Sequence, residues 1–222
     1  MSEVITIDGP VSSGKNSVAL LFSQRIGYQL IDSGSIYRAF AIAILRHGIS
    51  VDDDLGIENV LNNIRLEYLD EGDEQKVLLD GEDVTEDLHN PGITSVVPFI
   101  SAKKFVREIA NGFQKKLVEG KNTVMAGRDI GSEIFPDAPL KFFLTATPEV
   151  RAERRFKQLQ EKDPRITYEE VLRQVKERDM ADTTRDVSPL RKPDDAIVID
   201  TTDLSTEDSV EEFMKYFNNR KV

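Results

Sequence analysis

Short apolar runs that end at turn residues alternate with stretches of helical periodicity along most of the chain. Val4-Ile5-Thr6-Ile7, rich in β-branched residues, stops at Asp8-Gly9-Pro10, as a buried strand entering a loop does. A helix-compatible stretch follows over about 16–26. Residues 28–31 form a second strand candidate closed by Asp32-Ser33-Gly34, and 35–47 have a helical composition that Gly48 ends. Apolar strand candidates return at 122–126, 140–144 and 196–199, separated by helical patterns. Strand, loop and helix in repetition predict an α/β fold with a parallel sheet covered by helices on both faces.

Two helices carry clear apolar stripes. Over 102–119 the stripe is Ala102, Phe105, Val106, Ile109, Ala110, Phe113 and Leu117; near the end of the chain it is Val210, Phe213, Met214 and Phe217. Both read as core. The pattern changes in between: 64–69 alternates, Glu71-Gly72-Asp73 is a turn, 76–79 is a second strand, and Gly81-Glu82-Asp83 starts another turn before Val84. A small antiparallel insertion is expected there. Internal repeats and flexible linkers are not evident.

Length and charge narrow the reading. The 222 residues suit one compact domain with a small insertion. The first residues lack the features of a signal peptide, and no run approaches the roughly 20 apolar residues of a membrane span, so a soluble cytoplasmic protein is expected. The absence of cysteine excludes disulfides, thiolate metal sites and cysteine nucleophiles, and two histidines, His47 and His89, leave little for histidine chemistry. Both histidines fall where loops or helix ends are expected. The net charge of -11 argues against nucleic-acid or anionic-membrane partners. Fourteen Asp or Glu between Ser50 and Asn90 face only Arg65 and Lys76, so the acidity belongs to one segment. From Arg151 to Lys192, twelve Lys or Arg against nine Asp or Glu make a locally basic stretch suited to an anionic ligand.

Gly9-Pro10-Val11-Ser12-Ser13-Gly14-Lys15-Asn16-Ser17 follows the first strand and opens the first helix, the context that a phosphate-binding loop requires. Glycines let the backbone wrap phosphate oxygens, the helix N-terminus adds oriented amides, and Lys15 neutralises the β and γ oxygens of a triphosphate. The residue after the lysine is Asn16, where a hydroxyl is usual, and the hydroxyl comes one position later at Ser17. Mg²⁺ is therefore expected to be held mainly by nucleotide phosphates and water, with Ser17 as the one candidate protein ligand.

Three charged clusters fall at the ends of candidate elements: Asp32-Ser33-Gly34-Ser35-Ile36-Tyr37-Arg38, Gly127-Arg128-Asp129-Ile130-Gly131, and Arg178-Asp179-Met180-Ala181-Asp182-Thr183-Thr184-Arg185. With Ile5 to Pro10, Asp80-Gly81-Glu82-Asp83-Val84, Val106-Arg107 and Ser188-Pro189-Leu190, these blocks resemble the bacterial cytidylate kinase family over essentially the whole chain.

The resemblance implies a P-loop kinase with a five-stranded parallel sheet, an inserted monophosphate-binding region near 62–96, core residues 1–61 and 97–222, and a short lid near 153–167. It implies ATP as phosphoryl donor, CMP or dCMP as acceptor, and a monomer. Ser33, Arg38, Arg128 and Arg185 match residues that hold the acceptor phosphate, Arg178 and Asp182 those that hold the ribose, and Arg107 and Asp129 those that read cytosine. Tyr37 falls at the site edge, and Arg154 and Arg155 match lid arginines that approach the transferring phosphate. Pro98 stands where the family usually places a base-contacting serine. Physical chemistry agrees, since phosphoryl transfer needs positioning and charge stabilisation, and a phosphate acceptor needs no general base. Two other readings remain on the residues alone: a P-loop kinase for another small acceptor such as UMP, shikimate or gluconate, and an ATP-hydrolysing switch.

Overall fold

The computed structural model describes residues 2–70, 75–161 and 163–220. The chain divides into two compact units, Met1–Ile31 with Lys121–Val222, and Asp32–Gly120.

The first unit is built on β1 (Val4–Asp8), α1 (Lys15–Ile26) and β2 (Gln29–Asp32), then β6 (Thr123–Gly127), β7 (Leu140–Thr145), α6 (Pro148–Gln160), α7 (Tyr168–Thr184), β8 (Ile197–Asp200) and α8 (Thr206–Asn219). The strands form one five-stranded parallel sheet in the order β2-β6-β1-β7-β8. Pairing sets Asp8 opposite Gly127 and Thr145 opposite Asp200, so strand ends line up along one edge. That edge is where open α/β sheets bind ligands.

Alternation along β1 puts Ile5 and Ile7 on one face, where α1 and α8 cover them. Phe22 of α1, Phe142 of β7 and Phe213 of α8 meet there, with Phe142 and Phe213 stacked at 3.8 Å and Phe22 edge-on to both. The predicted stripe of α8 is this contact: Val210, Phe213 and Phe217 are buried and Met214 packs alongside. Thr6, between Ile5 and Ile7, points to the other face and is equally buried.

The second unit holds α2 (Ser33–Arg46), α3 (Asp54–Asn63), β3 (Leu66–Asp70), β4 (Gln75–Leu79), β5 (Glu82–Asp83), α4 (Pro91–Ser101) and α5 (Lys104–Leu117). The three strands form the expected antiparallel sheet, with Leu66 paired to Leu79 and Tyr68 to Val77. The predicted turn at 71–73 lies outside the described residues. Leu66, Val77, Leu79 and Val84 are buried, and α2 is buried on almost every face. His47 caps α2, and His89 ends a short 3₁₀ segment.

In this unit α2, α3, α4 and α5 cluster with the small sheet. One sequence expectation changes here. The predicted 102–119 helix begins at Lys104, and only Val106 and Ala110 of its stripe are fully buried; Ala102 is exposed. The same helix buries Arg107 and Gln114 instead.

Candidate active site

The loop from Gly9 to Gly14 turns tightly between β1 and α1. Ser12 and Gly14 take left-handed backbone angles (φ 58° and 86°). A Cβ on Gly9 would lie 2.1 Å from the carbonyl oxygen of Leu144, so only glycine fits against β7. Lys15 is buried and its Nζ donates back to the carbonyl of Pro10 (3.1 Å). The hydroxyl of Ser13 is buried and has no partner within the loop, a donor left for a ligand. Asn16 and Ser17 are exposed on the first turn of α1.

Two arginines of α6 brace this loop. Arg151, given no role of its own by the sequence, is buried and donates to the carbonyls of Val11 (3.1 Å) and Ala146 (2.9 Å) while making a two-point contact with Asp179 of α7. Arg154 donates to the Thr201 hydroxyl (3.0 Å) and to the Thr201 carbonyl. That hydroxyl in turn donates to the carbonyl of Ser13 (3.0 Å). Arg154 is thus linked through Thr201 to the loop. Arg155 bonds only Gln158 among the described contacts, and burial lowers its guanidinium pKa. Of the expected lid, 153–160 is the end of α6, and Lys162 lies outside the described residues.

In the same unit, α7 and the loop after β6 bring Arg128, Asp129, Arg178, Asp182 and Arg185 together. Asp182 is buried and takes Nε of Arg128 (3.0 Å) and Nε of Arg178 (3.2 Å), with Arg185 at 4.0 Å. Arg185 also reaches Asp129 (3.5 Å) and the carbonyl of Ser188 (2.7 Å). Burial alone would raise the Asp182 carboxyl, but Arg128, Arg178 and Arg185 overcome it and hold it below the usual carboxylate range. Three guanidinium groups against two carboxylates leave a net positive centre suited to an anion.

The second unit carries its own set at the start of α2. Asp32 caps the helix by accepting from Gly34 N–H (3.1 Å) and also takes Ser35 Oγ (3.2 Å) and Arg38 Nη2 (2.6 Å). Ser33 is buried beside it, and the helix terminus adds partial positive charge. Tyr68 of β3, which sequence reasoning missed, donates its hydroxyl to the Asp32 carbonyl (3.4 Å), and burial raises its pKa. Arg107 lies with its guanidinium carbon 5.7 Å from the ring centre of Tyr37 and donates to the carbonyl of Ser101 (3.2 Å). Pro98 sits exposed inside α4, with no N–H to offer. Among the described residues, no group of three or more acidic, His or Cys side chains could hold a metal ion.

The family description "Cytidylate kinase" matches residues 5–219. The chain belongs to the cytidylate kinase family. Relatives named cytidylate kinase include that of Caldanaerobacter subterraneus subsp. tengcongensis, 45% identical over 93% of this chain and 91% of its own. That of Carboxydothermus hydrogenoformans is 38% identical over 97% of both chains, and that of Vibrio cholerae 37% identical over 99% of this chain and 97% of its own. Among solved structures, an uncharacterized protein from Eubacterium ventriosum (TM-score 0.53, 14% identity, 98% of this chain and 99% of its own) shares the fold. So does a shikimate kinase from Bacteroides thetaiotaomicron (TM-score 0.50, 15% identity, 97% of this chain and 98% of its own). No described helix is long and apolar enough to cross a membrane.

Proposed function

We infer that the protein transfers the γ-phosphoryl group of ATP to CMP or dCMP, giving ADP and CDP or dCDP. The observation that carries this reading is the gathering of Arg128, Arg178 and Arg185 around Asp182 and Asp129 in the unit that holds the P-loop of a cytidylate kinase family chain. An oxygen of the CMP phosphate attacks the γ phosphorus while the bond from that phosphorus to the β–γ bridging oxygen breaks. ADP leaves with the electron pair of that bond.

Gly9 to Ser17 cradle the ATP phosphates, with Lys15 and the Ser13 hydroxyl turned to them. In the first unit, Arg128 and Arg185 serve the acceptor phosphate, Arg178 and Asp182 the ribose and Asp129 the cytosine. In the second unit, Ser33 and Arg38 serve the acceptor phosphate and Arg107, with Tyr37 beneath its guanidinium, the cytosine. Arg154 and Arg155 of α6 approach the transferring group, Arg154 from its place beside Thr201 and Arg155 from beside Gln158. Asp182 would exchange one of its arginine bonds for a sugar hydroxyl.

Mg²⁺ fits this donor set as an ion carried by ATP: the loop offers an exposed hydroxyl at Ser17 and no carboxylate cage, which suits a cation that keeps its waters. When bound it neutralises phosphate charge. The same reading includes action in the cytoplasm as a monomer.

The reading is tested by incubating the protein with MgATP and CMP and following ³¹P resonances. Appearance of CDP and ADP in equal amounts supports it; ADP with free phosphate and no CDP sinks it.

A further inference from the structure

Asp8 has no part in the roles above, yet it is one of the most enclosed carboxylates of the fold. It ends β1, lies opposite Gly127 in the sheet, and directly precedes Gly9 of the P-loop. Its Oδ1 accepts the backbone N–H of Ile130 (2.9 Å), and its Oδ2 that of Gly131 (2.7 Å). These amides open a single π-helical turn, Ile130–Ile134, immediately after Arg128 and Asp129. Gly131 also has no room for a side chain: a Cβ there would lie 2.7 Å from Thr6 Oγ1 and 3.3 Å from Asp8 Oδ2. One residue therefore joins the start of the phosphate loop to the backbone that aims Arg128 and Asp129.

A neutral side chain could fill this space with less desolvation. Burial pushes the Asp8 carboxyl up to about 6, the amides of Gly131 and Ile130 pull against that, Asp129 adds to the rise and Lys15 opposes it. The charged groups that act on it are Asp129 in the turn and Lys15 at the start of α1. A costly buried anion kept beside a binding segment is the pattern of a functional constraint.

We propose that Asp8 is a positioning residue: by binding the amides of Ile130 and Gly131 it fixes Arg128 and Asp129 for the acceptor nucleotide, in register with the P-loop. This rests on the reading that Arg128 and Asp129 receive CMP. A mere helix cap would lose stability when removed and would affect both substrates alike. A positioning residue acts on the acceptor side, because the donor loop is braced independently by Arg151 and by Thr201 through Ser13.

The experiment is steady-state kinetics of Asp8→Asn and Asp8→Glu, varying CMP at saturating MgATP and the reverse. The Asn side chain accepts at one oxygen and turns an NH₂ toward the second amide, so the segment shifts. The expected result is a rise in KM for CMP of about tenfold or more, a fall in kcat, and a KM for ATP within about threefold of the parent. Asp8→Glu, which restores two carboxylate oxygens on a longer arm, recovers part of the CMP KM. Should the Asn variant fail to fold, the Glu variant alone reads the same split. Unchanged KM values, or equal rises for ATP and CMP in the folded variants, overturn the proposal. A parent enzyme that does not use CMP overturns the functional reading instead.

Discussion

Arg151 and Asp179 meet in a two-point contact, Nη1 to Oδ1 at 2.9 Å and Nη2 to Oδ2 at 2.6 Å, while the same Nη1 reaches the carbonyl of Val11 at 3.1 Å. A single planar fork thereby ties α7 to the phosphate loop, a geometry that lysine cannot reproduce. Arg151→Lys is expected to lower stability by about 2 kcal/mol, less than for a fully enclosed pair because Asp179 is partly exposed. It should also raise the KM for ATP, since Val11 loses its anchor. Thermal unfolding and ATP kinetics check both; a variant that keeps the parent ATP KM would show that the loop holds its shape without the strap.

Gly9 tests the close approach of the loop to β7. With the Cβ position 2.1 Å from the Leu144 carbonyl, Gly9→Ala must push the loop off the strand. Overpacking of this kind costs about 1–3 kcal/mol. Calorimetric unfolding should show that loss together with weaker ATP binding, and parent-like values for both would contradict the packing described.

Asp8 and Asp182 should give opposite pH signatures. Asp8 has its folded pKa raised from 3.8 to about 6, so folding favours its protonated form. Its effect is a penalty that grows as pH rises from about 4 to 6, amounting to about 3 kcal/mol above that window. Asp182 has its folded pKa lowered, so it stabilises above the ordinary carboxylate pKa of about 4 and loses that contribution as pH falls below it. Unfolding midpoints between pH 2.5 and 7 should therefore decline less from pH 4 to 6 in Asp8→Asn than in the parent. Asp182→Asn should lose the gain that the parent shows as pH rises toward the ordinary carboxylate pKa of about 4. The same profile in all three proteins would refute both assignments.

Lys15 opens α1 directly after the phosphate loop, and its Nζ reaches the Pro10 carbonyl of that loop (3.1 Å), within the segment assigned to the ATP phosphates. Lys15→Ala should cut kcat by a factor on the order of 10²–10³ while the folded far-ultraviolet spectrum persists. Turnover close to that of the parent would remove Lys15 from the donor site.

The parallel core was legible because its strands are short apolar runs closed by turn residues, and the P-loop because its glycines and lysine stand between a strand and a helix. Other features left weaker signals. Helix α4 was hidden by Pro98 in its interior, although Asn90 and Pro91 mark its start: Asn90 accepts from Gly92 N–H, and proline suits the first turn. On α5, Phe113 packs edge-on against Phe40 as the stripe predicts, but Arg107 and Gln114 are buried on the same helix, which an apolar count does not see. Arg151 and Asp8 read as lone charges in sequence; their importance comes from partners 140 and 122 positions away, Val11 and Ile130. The acceptor clusters stood out as charged runs at element ends, their roles came from family likeness, and the structure adds which residues share partners, above all Asp182.

The most direct test is acceptor-dependent ADP release in MgATP, offering CMP, dCMP, UMP, AMP, GMP and shikimate separately beside a no-acceptor control. Release driven by CMP and dCMP far above the other acceptors is the predicted result. Release that is equal with and without acceptor, or that follows a different acceptor, would contradict the account.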